Sequence, residues 1–289
     1  MTKENFNGYQ LFDGRLVAIA TMHEKDKVIA PILEKELGLK CMTIPDFNTD
    51  VFGTFSGEVE RVHSPLETVR SKALAALELC NADLVIASEG SFGPHPSSFF
   101  IPTNEEFIIF IDKKNALEII GRHLTFKTNF KELPITSIED LTDFLSIIGF
   151  PEHGIILKIK DEINTNDFVF KDLKSQIELE ILVLNSLEKN QIITAQSDMR
   201  AMFNPTRMLA IEQATNDLIK NIKSTCPNCQ VPGFSINEVL IGLPCKLCKE
   251  PTKSPKAYSY KCNKCDFKEV RQVKDNNYED PMYCDFCNP

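Results

Sequence analysis

Tryptophan is absent, and no stretch of the 289 residues approaches the roughly 18 consecutive apolar positions that a membrane-crossing helix requires. The opening MTKENFNGYQLFDGR lacks the apolar core of a signal peptide. Neither an internal repeat nor a low-complexity linker is visible. These absences argue against a membrane partner and lead to the expectation of a cytoplasmic protein. In that compartment thiols stay reduced, so closely spaced cysteines favour metal over disulfides.

Cysteine is what the chain concentrates. Eight of its ten cysteines form four C-x-x-C pairs: Cys226/Cys229, Cys245/Cys248, Cys262/Cys265 and Cys284/Cys287. Two residues between thiols let both sulfurs of one tight turn reach a single tetrahedral ion, and a second turn completes the shell. Eight thiolates thus imply two closed, structural Zn²⁺ sites with no position open to substrate. Sequential, nested and interleaved pairings are all compatible with the spacing. Nesting is the expectation, with Cys245/Cys248 and Cys262/Cys265 as the inner ribbon. Cys41 and Cys80 stand alone on apolar segments and read as small buried hydrophobes.

The formal charge is −9, and residues 226–289 contribute +1 of it through nine Lys/Arg and eight Asp/Glu. Two four-thiolate zinc centres, each adding about −2, would bring the tail to about −3. The lysines from Lys246 to Lys274, with Arg271, Tyr258, Tyr260 and Phe267, nevertheless form a local basic stretch suited to nucleic acid or a protein partner.

Upstream, RLVAIAT (15–21), KCMTI (40–44) and DLVIAS (83–88) read as strands separated by helices, which is the grammar of an α/β domain. Ser64, Pro65 and Glu67 mark a capping box at the start of the second helix. EEFIIFID (105–112) and ALEIIGRHL (116–124) read as an antiparallel hairpin. Thr136 and Glu139 suggest a second capping box, GIILKIK and QIITAQ further strands, and Asn204-Pro205 the start of the last helix. The predicted fold is α/β, a mixed sheet with flanking helices over residues 1–223, followed by a small double zinc ribbon over 224–289.

Three polar clusters follow strand ends, where open α/β sheets place ligands. Thr21 to Lys27 offers a hydroxyl and lysines at a helix start, suited to phosphate. Ser88-Glu89-Gly90-Ser91 reads as a turn whose carboxylate suits Mg²⁺. Arg200 and Arg207 crowd a helix N-terminus, a conflict with the dipole that an anionic ligand would relieve.

Taken together, A-T-x-H-E-K-D-K, S-P-L-E-T-x-x-x-K-A-x-A-A and A-D-L-V-I-A-S-E-G-S over residues 15–95 resemble the inosine/xanthosine triphosphate pyrophosphatase and Maf superfamily. That resemblance implies a nucleoside triphosphate pyrophosphohydrolase using Mg²⁺ or Mn²⁺. Thr21 and Lys27 would cradle the triphosphate, Lys72 would neutralise it and Glu89 would hold the metal, with Glu58 or Glu67 as the second carboxylate. Over nearly its full length the chain also resembles an uncharacterised bacterial family sharing A-T-M-H, S-E-G-S-F-G-P-H-P, D-M-R-A-x-x-N-P-T-R and the four knuckles. Two functions are carried forward: triphosphate hydrolysis or binding of a nucleotide-type phosphate ligand, and a zinc-ribbon interaction module beside a catalytically silent α/β domain.

Overall fold

The computed structural model describes residues 11–45, 47–53, 62–80, 82–95, 98–161, 166–273 and 277–289. Strand β1 (Leu16–Ala20) leads through helix α1 (Asp26–Leu37) to β2 (Lys40–Thr43), and helix α2 (Pro65–Leu79) leads to β3 (Leu84–His95). β4 (Ser98–Asp112) and β5 (Leu117–Thr125) complete a mixed five-stranded sheet in the order β2-β1-β3-β4-β5. β2, β1 and β3 run parallel to one another, and β4 is antiparallel to both β3 and β5.

Alternation of side chains along the strands divides the core in two. Val17, Ile19, Leu84, Ile86, Ile108 and Phe110 pack with α1 and with α5 (Pro205–Lys223). Ala18, Ala20, Val85, Ala87 and Ile109 pack with α2 on the other face. Helix α2 starts as expected: Ser64 Oγ accepts from Glu67 N–H and the Glu67 carboxylate accepts from Ser64 N–H. Pro31 lies inside α1, which already begins at Asp26. The later cap is shifted by one residue, with Ser137 capping α3 (Ile138–Ile148) by accepting from Asp140 N–H, while Thr136 donates to the Asp140 carboxylate.

Helix α5 lies directly on β5. A Cβ at Gly121 would come within 2.4 Å of the Ala214 carbonyl oxygen and the Leu218 nitrogen. Side chains of α5 also satisfy polar groups of this edge strand. Asn221 Nδ2 donates to the Ile120 carbonyl at 2.8 Å, and Arg122 N–H donates to Asp217 at 3.0 Å. An edge strand is thereby closed by a helix instead of by another strand.

The single mixed sheet anticipated for residues 1–223 is two sheets. β6 (Glu132–Ile135), β7 (Ile155–Asp161), β8 (Asn166–Phe170) and β9 (Ile192–Ser197) form a separate antiparallel sheet in the order β6-β9-β7-β8. α3 and α4 (Gln176–Glu188) cover one face of it around Leu141, Phe144, Leu157, Leu179 and Val183.

The tail forms a third sheet, β10 (Ser235–Ile241), β11 (Pro255–Lys261) and β12 (Lys268–Gln272). Its first loop rests on the larger core, where Gly233 meets Ile119 and Val231 joins the apolar cluster under α5. Among the described residues no helix is long and apolar enough to cross a membrane.

Candidate functional site

The eight paired cysteines assemble into two tetrads, Cys226, Cys229, Cys262, Cys265 and Cys245, Cys248, Cys284, Cys287, with the sulfurs of each within 4.8 Å of one another. Cross-pair Sγ–Sγ distances are 3.6 to 3.8 Å. A tetrahedron with Zn–S bonds of about 2.3 Å has edges of about 3.8 Å, so the sulfurs are already spaced for zinc. The pairing is interleaved, not nested. Each strand of the tail crosses the sheet once, so the knuckles before β10 and after β11 meet at one end and the other two meet at the opposite end. Ser235 pairing with Lys261 fixes that geometry. Nesting would require knuckles on either side of β11 to touch.

The second candidate site lies where the strand order of the main sheet reverses. From β1 the chain turns to β2 on one side and then crosses to β3 on the other, leaving a crevice beyond the carboxyl ends of β1 and β3, the usual ligand position in such sheets. Pairing of β3 with β1 stops at Ala87, while pairing with β4 continues to His95. Ser88 to Ser91 is therefore strand and not the turn expected from sequence. Apolar periodicity fails here because Asn104 and Glu106 of β4 are buried polar residues.

Lysines approach this crevice from both faces. Lys25, at the start of α1, is buried and donates to Ser88 Oγ at 3.0 Å. Its only described acceptors are on Ser88; Glu106 and Glu89 act on it only at longer range, with no ion pair to it among the described residues. Burial first, and then the charges of Arg207 and Lys72, push its pKa down to about 7. From the other face Lys72 on α2 bonds the Glu89 carboxylate, both side chains being buried. Arg207 on α5 pairs with Glu106 at 2.8 Å and donates to the Met199 carbonyl. Gly90 makes that pair possible, since a Cβ there would stand 2.5 Å from Arg207 Nη2 and 2.6 Å from Glu106 Oε1.

His23 borders the same group. Burial first, then Lys25, Arg207, Arg200 and Lys72, lower its pKa to about 3, so the imidazole is neutral at physiological pH. Thr21 Oγ1 is a buried oxygen with no hydrogen-bond partner among the described residues.

The remaining residues singled out from sequence fall elsewhere or take other partners. Lys27 is exposed and pairs with Glu24 at 2.6 Å; the lysine turned inward is Lys25. Spacing alone does not separate the two, because the helix start between them sets which one faces the sheet. Glu67 is occupied by its cap. Glu58 lies outside the described residues. Arg200 is held by Asp198 and Asp172 and stacks 4.6 Å from Phe203, in the smaller sheet's loops. Asn204 caps α5 by accepting from Arg207 N–H, which sets the arginine's position. Cys41 has its thiol pKa pushed up to about 12 by burial, in keeping with an inert residue.

A family profile described as a domain of unknown function, DUF6671, matches residues 72–289, a span that holds Lys72, Glu89, Arg207 and all eight knuckle cysteines. Among solved structures, the protein VC0702 from Vibrio cholerae is similar over 72% of this chain and 94% of its own, at 10% identity and a TM-score of 0.32. No curated protein matches the chain.

Proposed function

The chain belongs to the DUF6671 family, and we propose that it binds a phosphorylated, nucleotide-type ligand in the crevice beyond β1 and β3 and hydrolyses a nucleoside triphosphate there. The observation that supports this is Lys25, a buried lysine with no ion-pair partner among the described residues, gathered with Lys72 and Arg207 at the switch point of the sheet, where Glu106 and Glu89 are already paired with those two cations. A polyphosphate supplies the missing negative charge.

In the proposed reaction water attacks the α-phosphorus, the bond from that phosphorus to the bridging oxygen breaks, pyrophosphate leaves carrying the electron pair, and the proton of the attacking water is lost to solvent. Lys25, Lys72 and Arg207 would stabilise charge developing on the phosphate oxygens, and exclusion of water strengthens each contact. A Mg²⁺ or Mn²⁺ site was expected at Glu89, but that carboxylate is bonded to Lys72, and Glu106 is bonded to Arg207. The described carboxylates therefore do not fit a hard dication, and the chemistry rests here on the cations.

Lys25→Met tests the reading. Its folded pKa, about 7, lies below the ordinary lysine value. The unfolded chain thus holds more protons between pH 7 and about 10.4, and stability rises with pH across that window. Anion binding needs the protonated form, so affinity falls as pH rises through 7. Titration with inorganic triphosphate and with sulfate, whose charge is constant over this range, should show that fall in the wild type. Lys25→Met should stabilise the free protein, weaken both anions by about 10- to 100-fold and abolish the sulfate pH dependence. Unchanged affinity in the variant overturns the site. Pyrophosphate release from a panel of nucleoside triphosphates tests the reaction separately. Lys72→Met should slow turnover, and it also strands Glu89, so its stability must be measured alongside.

A second reading has its own observation. The distal zinc site exposes Leu247 and Phe286 from its two knuckles, with Met282 and Tyr283 beside them, and Lys249 sits 4.0 Å over the Tyr278 ring. This apolar, aromatic surface is suited to a protein or a single-stranded nucleic acid. Steep loss of oligonucleotide binding with added salt, removed by Phe286→Ala, would place nucleic acid there.

A further inference from the structure

Three consecutive residues of β3 stand against three different cations. Ser88 accepts from Lys25 through its hydroxyl at 3.0 Å and its carbonyl at 3.5 Å, the Glu89 carboxylate is bonded to Lys72, and Gly90 leaves room for Arg207 with its partner Glu106. Lys72 and Arg207 thus have carboxylate partners, whereas the described acceptors of Lys25 are two neutral oxygens. Its side chain is buried. A buried lysine without an ion pair, crowded by other cations, is relieved by losing its proton, and the amine left behind is a nucleophile. Burial first, and then Arg207 and Lys72, carry its pKa down to about 7 against the longer-range pull of Glu106 and Glu89. At pH 7 about half of such a side chain is uncharged, against about one in 2,500 for a lysine of ordinary pKa.

Hydroxyls gather at the same spot. Ala20 pairs with Ala87 across β1 and β3, so Thr21 and Ser88 follow side by side where that pairing ends. Thr21 Oγ1 is buried with no hydrogen-bond partner among the described residues, and Ser88 Oγ touches the amine. Thr21 and His23 are half-buried, which places the amine just beneath the surface of the turn. Behind its burial, the charges of Lys25, Arg207, Arg200 and Lys72 each lower the His23 pKa. The field in the crevice is therefore positive and favours an anionic ligand.

We propose that Lys25 is a Schiff-base lysine, which condenses in this crevice with a small aldehyde or ketone carrying a carboxylate or phosphate. The amine lone pair attacks the carbonyl carbon, a C–N bond forms, and one proton passes from nitrogen to oxygen. The carbinolamine then breaks its C–O bond, a second proton follows the first, and the oxygen leaves as water while the C=N bond closes. Ser88 Oγ relays the protons. Amine and carbonyl give imine and water, with no oxidation or reduction. The reaction does not rest on triphosphate hydrolysis, although the two ligands compete for one lysine.

The test is reductive trapping of the zinc-loaded full chain at pH 7 with glyoxylate, glycolaldehyde phosphate or uncharged glycolaldehyde. Cyanoborohydride delivers hydride to the imine and fixes it as a secondary amine, which peptide mass spectrometry locates. Lys25 should be labelled at least about tenfold faster than any exposed lysine, and at least about tenfold faster by either anion than by glycolaldehyde. The faster anion tells whether carboxylate or phosphate is the favoured group. Lys25→Met should abolish the fast phase of incorporation into the intact chain. Inorganic triphosphate should slow labelling of the wild type; labelling at Lys25 that ignores triphosphate supports the imine and overturns the phosphate reading. Lys25 labelled no faster than exposed lysines, a fast phase that survives Lys25→Met, or equal labelling by glycolaldehyde overturns the proposal.

Discussion

Removal of zinc is expected to unfold the tail from Cys226 onward while leaving the five-stranded sheet folded. The apolar centre of the tail consists of Cys226, Phe234 and Cys262 with a few half-buried neighbours. A segment that small cannot offset its conformational entropy by burial alone. Metal supplies the difference, on the order of 10–16 kcal/mol for each structural zinc at neutral pH. Purified protein should carry two zinc ions per chain by elemental analysis. A strong chelator should abolish protection of the β10–β12 amides from hydrogen exchange and spare those of β3 and β4. Cys262→Ser should do more damage than Cys284→Ser, because the first site anchors the loop holding Val231 and Gly233 against the larger core. Fewer than two ions, or a tail that keeps its protection in chelator, would contradict this account.

Breaking the Arg207–Glu106 pair should be the most damaging single change in the α/β region. Both side chains are wholly buried, so either partner left alone is an uncompensated charge in a low-dielectric interior. Glu106→Gln and Arg207→Met should each cost about 3–5 kcal/mol in urea unfolding. The double variant Glu106→Leu/Arg207→Met should recover most of that loss, since well-packed apolar residues replace a buried ion pair at little cost. It should not recover anion binding. A pair kept only for stability would show no such separation, and a double variant that binds triphosphate normally would remove Arg207 from the proposed site.

The parallel half of the main sheet was legible because its strands are apolar runs and its second helix announces itself with Ser64, Pro65 and Glu67. The eight knuckle cysteines that gather into tetrads were legible too, from spacing alone. Their partnership was not, although the signal was present. Spacers of 15, 13 and 18 residues each have room for one strand, and a single crossing per spacer forces alternate knuckles together. β6 and β8 were missed because half-exposed edge strands carry little apolar pattern; Leu133 and Phe168 are 42% and 44% exposed. The crevice was only partly visible. Lys72 and Glu89 stood out by type and place, but Glu106 sits inside an apolar strand, and its burial is explained by an arginine 101 residues later in the chain.

The interleaved knuckles make the tail resistant to being cut apart. With an ion in each tetrad, a backbone break between Cys229 and Cys245 would leave both fragments bridged by the first ion, and one between Cys265 and Cys284 would leave them bridged by the second. Between Cys248 and Cys262 both ions would span the break. Side-by-side pairing would have left that middle stretch as a point of separation. With both tetrads loaded, a protease could nick any of the three spacers without releasing a piece, so the integrity of a metallated tail would depend on its metal more than on the continuity of its chain.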